Sequence, residues 1–337
     1  MITDRVSPTH TQDQDIQFYQ KQALHYRRRR IEKAIYQHFR WVPYTYQVIR
    51  QVRPKLIHAH FGKAGEGCLW SARWLHVPLI VNFYGIETNR QIHDPVWLGR
   101  YRRLYAQANA FICSSNAMKE AMVVSGCPSE KITIIRCGVD TDFFCGDVTP
   151  WQRGQPLRLL SIARWHPDKG LRYLLEACRL LNMNGMNNWQ LDLIGFGPLE
   201  MELKRQAEES GIQEQVHFLG PKSPTEVRAA LHRAHLMILP SLKETQGVAL
   251  QEAQATRTPV IASNIGGIPE GVLDGESGFL IDPQSPQAIM EKINMFLEQP
   301  NLFAKMGHAG RRYVTTHFSR QKEYRQLSEL YRRVIDS

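Results

Sequence analysis

The sequence predicts an α/β protein with two Rossmann-like doubly wound parallel-sheet domains facing a cleft. Three observations lead there. Short apolar runs of strand length recur along the chain without polar alternation, as expected for parallel strands buried on both faces. Segments of helical character separate them, which is the signature of βαβ units. The rhythm breaks once, at the irregular stretch GDVTPWQRGQP (146–156), which sets the expected domains at 1–150 and 151–337.

The elements follow in order. Residues 1–15 are polar and unpatterned, and disorder is expected there. A helix is expected over 18–39, where Leu24, Ile31, Ile35 and Phe39 form one apolar stripe. Pro43 breaks it, and a second helix over 44–53 stops before Pro54. Strands are then expected at LIHAH (56–60), PLIVNF (78–83), AFICSS (110–115) and KITIIRC (131–137), with helices over 66–76, 95–108 and 114–125. In the second half the expected strands are LRLLSIA (157–163), WQLDLIG (189–195), VHFLG (216–220), LMILP (236–240), PVIAS (259–263) and GFLI (278–281). Helices are expected near 170–183, 199–210, 224–234, 247–256, 286–299, 301–315 and 319–335, the last packing back toward the first domain.

Composition excludes several classes. A chain of 337 residues with 43% hydrophobic and 22% charged residues is neither disordered nor fibrous. It has no run of eighteen apolar residues, so a membrane-spanning helix is not expected. The N-terminal MITDRVSPTHTQDQD has no apolar segment and does not read as a secretory signal, so the expected location is cytoplasmic. Six cysteines without C-x-x-C or zinc-like spacing read as reduced, mostly buried thiols. Residues 1–60 hold 11 Lys+Arg against 4 Asp+Glu, centred on the four arginines at 27–30. That excess suits either a solvated helix face or peripheral contact with the anionic inner face of a membrane. No nucleic-acid module or interleaved aromatic motif accompanies it, so nucleic acid is not an expected partner.

Two segments carry the chemistry. In the first, 239–283, Glu244 sits in a loop just after a strand, and Gly247 allows close backbone approach where a helix begins. Glu252 lies about a turn and a half into that helix. Free backbone N–H groups and the helix dipole favour a phosphate there, and a carboxylate accepts paired hydroxyl donors such as those of a ribose or a sugar. The bland alternatives are an exposed helix acid for Glu252 and a loop acid for Glu244. In the second segment, SIARWHPDKG (161–170), Arg164 leaves a strand end and Lys169 follows before Gly170. Two cations there can clamp a diphosphate and neutralise the charge that grows as it leaves. The alternative is basic residues around a surface turn.

Two D-x-D triplets, Asp13-Gln14-Asp15 and Asp140-Thr141-Asp142, are not read as metal sites, because one falls in the polar leader and the other in the interdomain segment. GFGPLE (195–200) lacks the third glycine of a dinucleotide fingerprint. His58 and His60 end a strand that faces the expected cleft, where His60 suits either substrate contact or strand-end packing.

Together, A-R-W-x-x-x-K-G (163–170), G-F-G-P (195–198), F-L-G (218–220), Glu244 with Glu252, and G-G-I-P-E (266–270) resemble glycosyltransferase family 4. HAHFG (58–62), FYGIE (83–87) and IRCGVDTDFF (135–144) resemble its bacterial exopolysaccharide branch, of colanic-acid and amylovoran type. The resemblance covers roughly 56–335. It implies the GT-B architecture and retaining transfer of a sugar from a nucleotide-diphosphate sugar to a glycan or lipid-linked acceptor, with no metal or other cofactor. It also implies roles. Arg164 and Lys169 would hold the donor β-phosphate and stabilise the leaving diphosphate. Glu244 would bind donor-sugar hydroxyls, and N–H groups near Gly247 and Val248 would touch sugar or phosphate. Glu252 would bind the ribose, and the base would sit near Gly220, Pro221 and Lys222.

This chain departs from the family pattern in two places. Tyr84-Gly85 stands where members often carry His-Gly, so Tyr84 is expected either to bond the sugar through its hydroxyl or to pack. The first strand found, 56–60, is a mid-domain strand in the family, so opening β/α units are expected to be missing. An alternative function follows: a non-catalytic nucleotide-sugar binder without a complete acceptor domain.

Overall fold

The computed structural model describes residues 43–146 and 151–337, together with the backbone of two short strands, β1 (Ile2–Thr3) and β2 (Tyr19–Gln20), which pair in parallel. Apart from those four residues, the expected leader, the helix over 18–39, the arginines at 27–30 and the first D-x-D triplet lie outside the described residues. Tyr19 and Gln20 are strand where a helix is expected.

The chain divides into two units. One comprises residues 1–113, 119–134 and 327–337; the other comprises 114–118 and 135–326. The division falls before the 146–156 stretch because 135–146 packs with the second unit. Val139 bridges to Ser319, and Val139 and Phe144 are buried among that unit's apolar residues.

The first unit holds a parallel sheet of β3 (Ile57–His60), β4 (Leu79–Asn82), β5 (Ala110–Cys113) and β6 (Ile132–Ile134), in that order. The four strands expected after residue 56 are thus all present. Ile80, Val81, Phe111 and Ile112 are buried, as their uninterrupted apolar runs require. Helix α1 (Pro43–Val52) precedes the sheet, and α2 (Gly62–Trp74) and α4 (Pro95–Gln107) cross over between its strands. Asp94 caps α4, with Oδ1 accepting from Val96 N at 2.8 Å, and Pro95 takes the first helical position. Tyr101 and Tyr105 from that helix pack on Phe83, with ring centroids 5.2 and 6.3 Å away. A one-turn helix α3 (Ile86–Asn89), too short for a periodic signal, follows β4, and α5 (Asn116–Val124) follows β5.

The second unit is a six-stranded parallel sheet. Its strands are β7 (Leu157–Ile162), β8 (Trp189–Ile194), β9 (Val216–Gly220), β10 (Leu236–Leu239), β11 (Val260–Ser263) and β12 (Gly278–Ile281). Their spatial order is β12-β11-β10-β7-β8-β9, so the winding reverses between β7 and β10. Every strand and helix expected in this half is present, within a few residues at each end. The helices are α6 (Leu171–Met183), α7 (Glu200–Glu209), α8 (Pro224–Arg233), α9 (Val248–Ala255), α10 (Pro286–Glu298), α11 (Asn301–His317) and α12 (Arg320–Ile335). Apolar layers cover both sheet faces, one around Trp165, Trp189 and Phe296, the other around Leu160, Met237 and Leu250. Ser223 and Glu226 form a complete capping box at the start of α8.

Candidate active site

In a doubly wound sheet, the loops leaving the two strands at the reversal point diverge and open a crevice at the carboxyl ends. Here those strands are β7 and β10, and the loops that follow them carry Arg164, Lys169 and Glu244. The loops are stitched together: the Asp168 carbonyl accepts from Leu242 N at 2.7 Å and Lys243 N at 3.2 Å. Gly170 sits at φ 63° with its Cα against the Pro240 carbonyl, and a Cβ there would lie 2.0 Å from that oxygen. The result is a salt bridge in which Lys169 Nζ stands 2.5 Å from Glu244 Oε2. Arg164 is exposed and has no ion-pair partner among the described residues, so its guanidinium is available to a ligand.

The G-G-I-P-E loop closes over Glu244 from the other side. Gly267 N donates to the Glu244 carbonyl at 3.2 Å, and a Cβ on Gly266 would lie 1.9 Å from the same oxygen. Gly247 precedes α9 with φ 78°, and no side chain caps that helix. The first N–H groups, at and after Val248, are therefore unsatisfied by side chains. Glu252 lies on α9 beside a pocket of about 400 Å³ also lined by Asp140, Phe143, Lys222, Val227 and Arg320. Burial pushes the Glu252 carboxyl up to about 7. Glu252 and Lys222 line one pocket, while Gly220 ends β9 with open space beside its Cα.

Two further polar residues anchor this unit, Gln246 with no sequence signal and Glu270 inside the G-G-I-P-E motif. Buried Gln246 clamps the backbone of Cys137: its Oε1 accepts from Cys137 N and its Nε2 donates to Cys137 O, both at 2.8 Å. Glu270, the acid of G-G-I-P-E, pairs with Arg136 at 2.6 Å. Both fix the 135–146 segment that lines the Glu252 pocket.

His60 and Tyr84 belong to the first unit, at the carboxyl ends of β3 and β4. Their side chains meet, His60 Nδ1 against the Tyr84 hydroxyl, with nearly parallel rings 5.8 Å apart. His58 stacks on His60 at 4.4 Å and bonds the Tyr331 hydroxyl at 2.7 Å. Burial lowers both imidazoles, His58 to about 4, so His58 is neutral near pH 7. Phe61 follows at φ 71° and ψ 145°, a conformation nearly reserved for glycine that costs about 1–3 kcal/mol. Glu87, fully buried, accepts from Gly62 N at 2.9 Å, Tyr84 N at 3.1 Å and Gly85 N at 3.3 Å. Phe61 and Glu87 lie within the HAHFG and FYGIE motifs, but nothing in the sequence distinguishes either residue from its neighbours.

Among the described residues no group of three or more His, Cys, Asp or Glu is arranged to hold a metal ion. Asp140 is used structurally: Oδ1 accepts from Phe143 N at 2.9 Å and Oδ2 pairs with Arg320 at 2.9 Å. All six cysteines are free thiols; Cys113, Cys127 and Cys178 are buried and Cys145 is exposed. No helix among the described residues is long and apolar enough to cross a membrane.

Two family models match the chain, one described as Glycosyltransferase Family 4 over residues 2–143 and one as Glycosyl transferases group 1 over 151–313. The amylovoran biosynthesis glycosyltransferase AmsK of Erwinia amylovora is 31% identical over 82% of this chain and 69% of its own length. The colanic acid biosynthesis glycosyltransferase WcaL of Salmonella typhimurium, a putative assignment, is 31% identical over 81% and 69%. Among solved structures, Anabaena HepE in complex with UDP superposes with a TM-score of 0.77 over 86% of this chain and 82% of that one, at 21% identity. That likeness is one of fold, the GT-B arrangement of two parallel-sheet α/β domains. With both halves matched by its models and with curated relatives at this identity, the chain belongs to the family 4 glycosyltransferases, alongside the amylovoran and colanic acid biosynthesis enzymes.

Proposed function

We propose that the chain transfers a hexosyl residue from a nucleoside diphosphate sugar to a glycan or lipid-linked acceptor, with retention of anomeric configuration and without a metal ion. The observation that carries this reading is the Lys169–Glu244 pair at the reversal point of the second sheet, with Arg164 on the same loop and Glu252 beside a pocket. Arg164 and Lys169 supply two positive charges for the β-phosphate, the work a divalent cation does in other sugar transferases. Glu244 accepts from donor-sugar hydroxyls while Lys169 holds its second oxygen. N–H groups near Gly247 and Val248 point at the diphosphate. Glu252 takes the ribose hydroxyls, and the base lies toward Gly220 and Lys222.

The chemistry follows from that placement. The bond between the anomeric carbon and the phosphate oxygen breaks as the acceptor hydroxyl attacks the same face. The departing diphosphate oxygen takes the hydroxyl proton, and Lys169 and Arg164 stabilise the charge left on it. HepE structures with UDP and with UDP-glucose support a nucleotide sugar as the donor class. We place the reaction in the cytoplasm, at the inner membrane face where lipid-linked acceptors present their sugars.

Calorimetric titration with UDP, GDP and ADP tests the donor site. One of them is expected to bind, with loss in Glu252→Ala and Lys169→Ala; no binding by any of the three would sink the reading. Anomeric signals of the product, read by NMR with chelator present and absent, test retention and metal independence. Nucleotide binding without donor hydrolysis or transfer would favour the non-catalytic alternative.

A further inference from the structure

We infer that Phe61, Tyr84 and His60 form a stacking platform for one pyranose ring of the acceptor glycan, and that Glu87 is the positioning residue that holds it. The inference rests on the glycosyltransferase reading for the word acceptor. The platform itself rests on four observations within the first unit.

The first is exposure against strain. Phe61 is 48% exposed although its backbone adopts a conformation that glycine would adopt more easily. About half of this side chain stays in water, so its packing, chiefly on Tyr84, returns only part of what a buried phenyl ring would. The second is continuity. Phe61 and Tyr84 rings lie 4.7 Å apart, Tyr84 and His60 5.8 Å, His60 and His58 4.4 Å, giving a row of rings along the carboxyl ends of β3 and β4. Ligands of open parallel sheets bind at those strand ends.

The third is mixed chemistry. A pyranose has one face of C–H groups and a rim of hydroxyls. The exposed Phe61 ring, tilted 44° to that of Tyr84, offers an apolar face to the former. The His60 imidazole, exposed and with Nδ1 already on the Tyr84 hydroxyl, keeps Nε2 for the latter. A purely apolar ligand would leave these polar atoms unpaired, and a diphosphate would find no cation among them.

The fourth is the clamp. One Glu87 oxygen accepts from Gly62 N, directly after Phe61, and the other from Tyr84 N and Gly85 N. The carboxylate thus joins the two loops that carry the rings, and fixes their separation from beneath. Three charge-assisted bonds to backbone donors are an arrangement that a neutral amide cannot reproduce, because its nitrogen accepts nothing.

Saturation-transfer NMR on the full chain without nucleotide tests the platform, with cellobiose, maltose and lactose as probes and the acyclic polyol mannitol as control. Transfer to ring C–H protons of at least one disaccharide is expected, and none to mannitol. Phe61→Ala is expected to weaken binding at least tenfold and Phe61→Trp to retain it. Phe61→Gly removes the backbone strain, so it is expected to raise the unfolding midpoint while binding falls at least tenfold. Glu87→Gln is expected to weaken disaccharide binding with UDP affinity unchanged, since UDP is held by the second unit. The inference is overturned if UDP binds but no disaccharide does, or if Phe61→Gly binds disaccharides as well as the parent. Failure of UDP, GDP and ADP all to bind the parent protein would instead strike the glycosyltransferase reading, and disaccharide binding would then stand without the word acceptor.

Discussion

Lys169 Nζ lies 2.5 Å from Glu244 Oε2 across a sequence separation of 75 residues, because both loops leave strands that are adjacent in one sheet. The side chains are only 14% and 13% exposed, so neither charge is well hydrated. Removing one leaves the other uncompensated.

From this follows a double-mutant prediction. Lys169→Met is expected to lower the rate of nucleoside diphosphate release from the sugar donor by about 10²–10³-fold, the size seen when one preorganised charge-stabilising group is lost. Lys169→Arg is not expected to restore it, since a planar fork does not replace a compact point charge. In urea unfolding, Lys169→Met with Glu244→Gln should be more stable than the two single changes predict, by about 1–3 kcal/mol. Strict additivity would mean the two side chains do not interact.

Glu252 gives a pH dependence. Its carboxyl is raised from 4.5 to about 7 by burial, so between those values the folded protein holds a proton that the unfolded chain has released. Stability therefore falls as pH rises from 4.5 through 7, and the loss is complete above 7. Glu252→Gln removes this dependence and should gain at most about 3 kcal/mol above pH 7, with no gain below pH 4.5. In the proposed role of Glu252, binding has the opposite sense, because ribose hydroxyls need the carboxylate as acceptor. Affinity for whichever of UDP, GDP and ADP binds should rise with pH up to about 7, and the Gln variant, weaker by about 1–3 kcal/mol, should lose that part of the rise. Calorimetry of both proteins from pH 5.5 to 8 checks it.

Gly170 and Gly185 separate conformational strain from steric conflict. Both have positive φ, 63° and 80°, but a Cβ on Gly170 would meet the Pro240 oxygen at 2.0 Å, while nothing lies within 4 Å of one on Gly185. Gly185→Ala should cost about 1–2 kcal/mol, the left-handed term alone. Gly170→Ala should cost more than about 4 kcal/mol, because the β7 and β10 loops must part. It should also abolish nucleoside diphosphate binding, since those loops carry Lys169 and Glu244 of the proposed donor site. Equal urea midpoints for the two variants would refute the close approach.

The sequence was most legible where one physical cause acted alone. Strands such as AFIC and VIAS are buried on every residue, so they read as unbroken apolar runs. Arg164, Lys169, Glu244 and Glu252 were legible because sheet topology gathers strand-end loops wherever they lie in sequence. Glu87 was not, because an acid buried on three backbone N–H groups looks the same in sequence as a loop acid. The domain boundary also differed, because the polar 146–156 stretch marks a break in rhythm, whereas Val139 and Phe144 upstream already pack with the second unit.

Gln246 was invisible for the same reason, and it yields a prediction whose sign depends on pH. Its amide meets both the N–H and the carbonyl of Cys137, 109 residues away, and it is 3% exposed. Gln246→Glu keeps an acceptor for Cys137 N but, when ionised, turns a second oxygen toward the Cys137 carbonyl in a site with little water. The cost should be about 3–5 kcal/mol at pH 8, the scale of an uncompensated buried charge. A protonated carboxyl restores an O–H donor to that carbonyl, so the penalty should shrink to about 1 kcal/mol or less at pH 5. The Cys137 segment leads to Asp140, Phe143 and Phe144, which line the pocket beside Glu252. UDP affinity of the variant should therefore recover toward the parent's at pH 5, measured relative to the parent at each pH. A penalty that is the same at pH 5 and pH 8 would show that the Gln246 amide does not hold the Cys137 backbone from both sides.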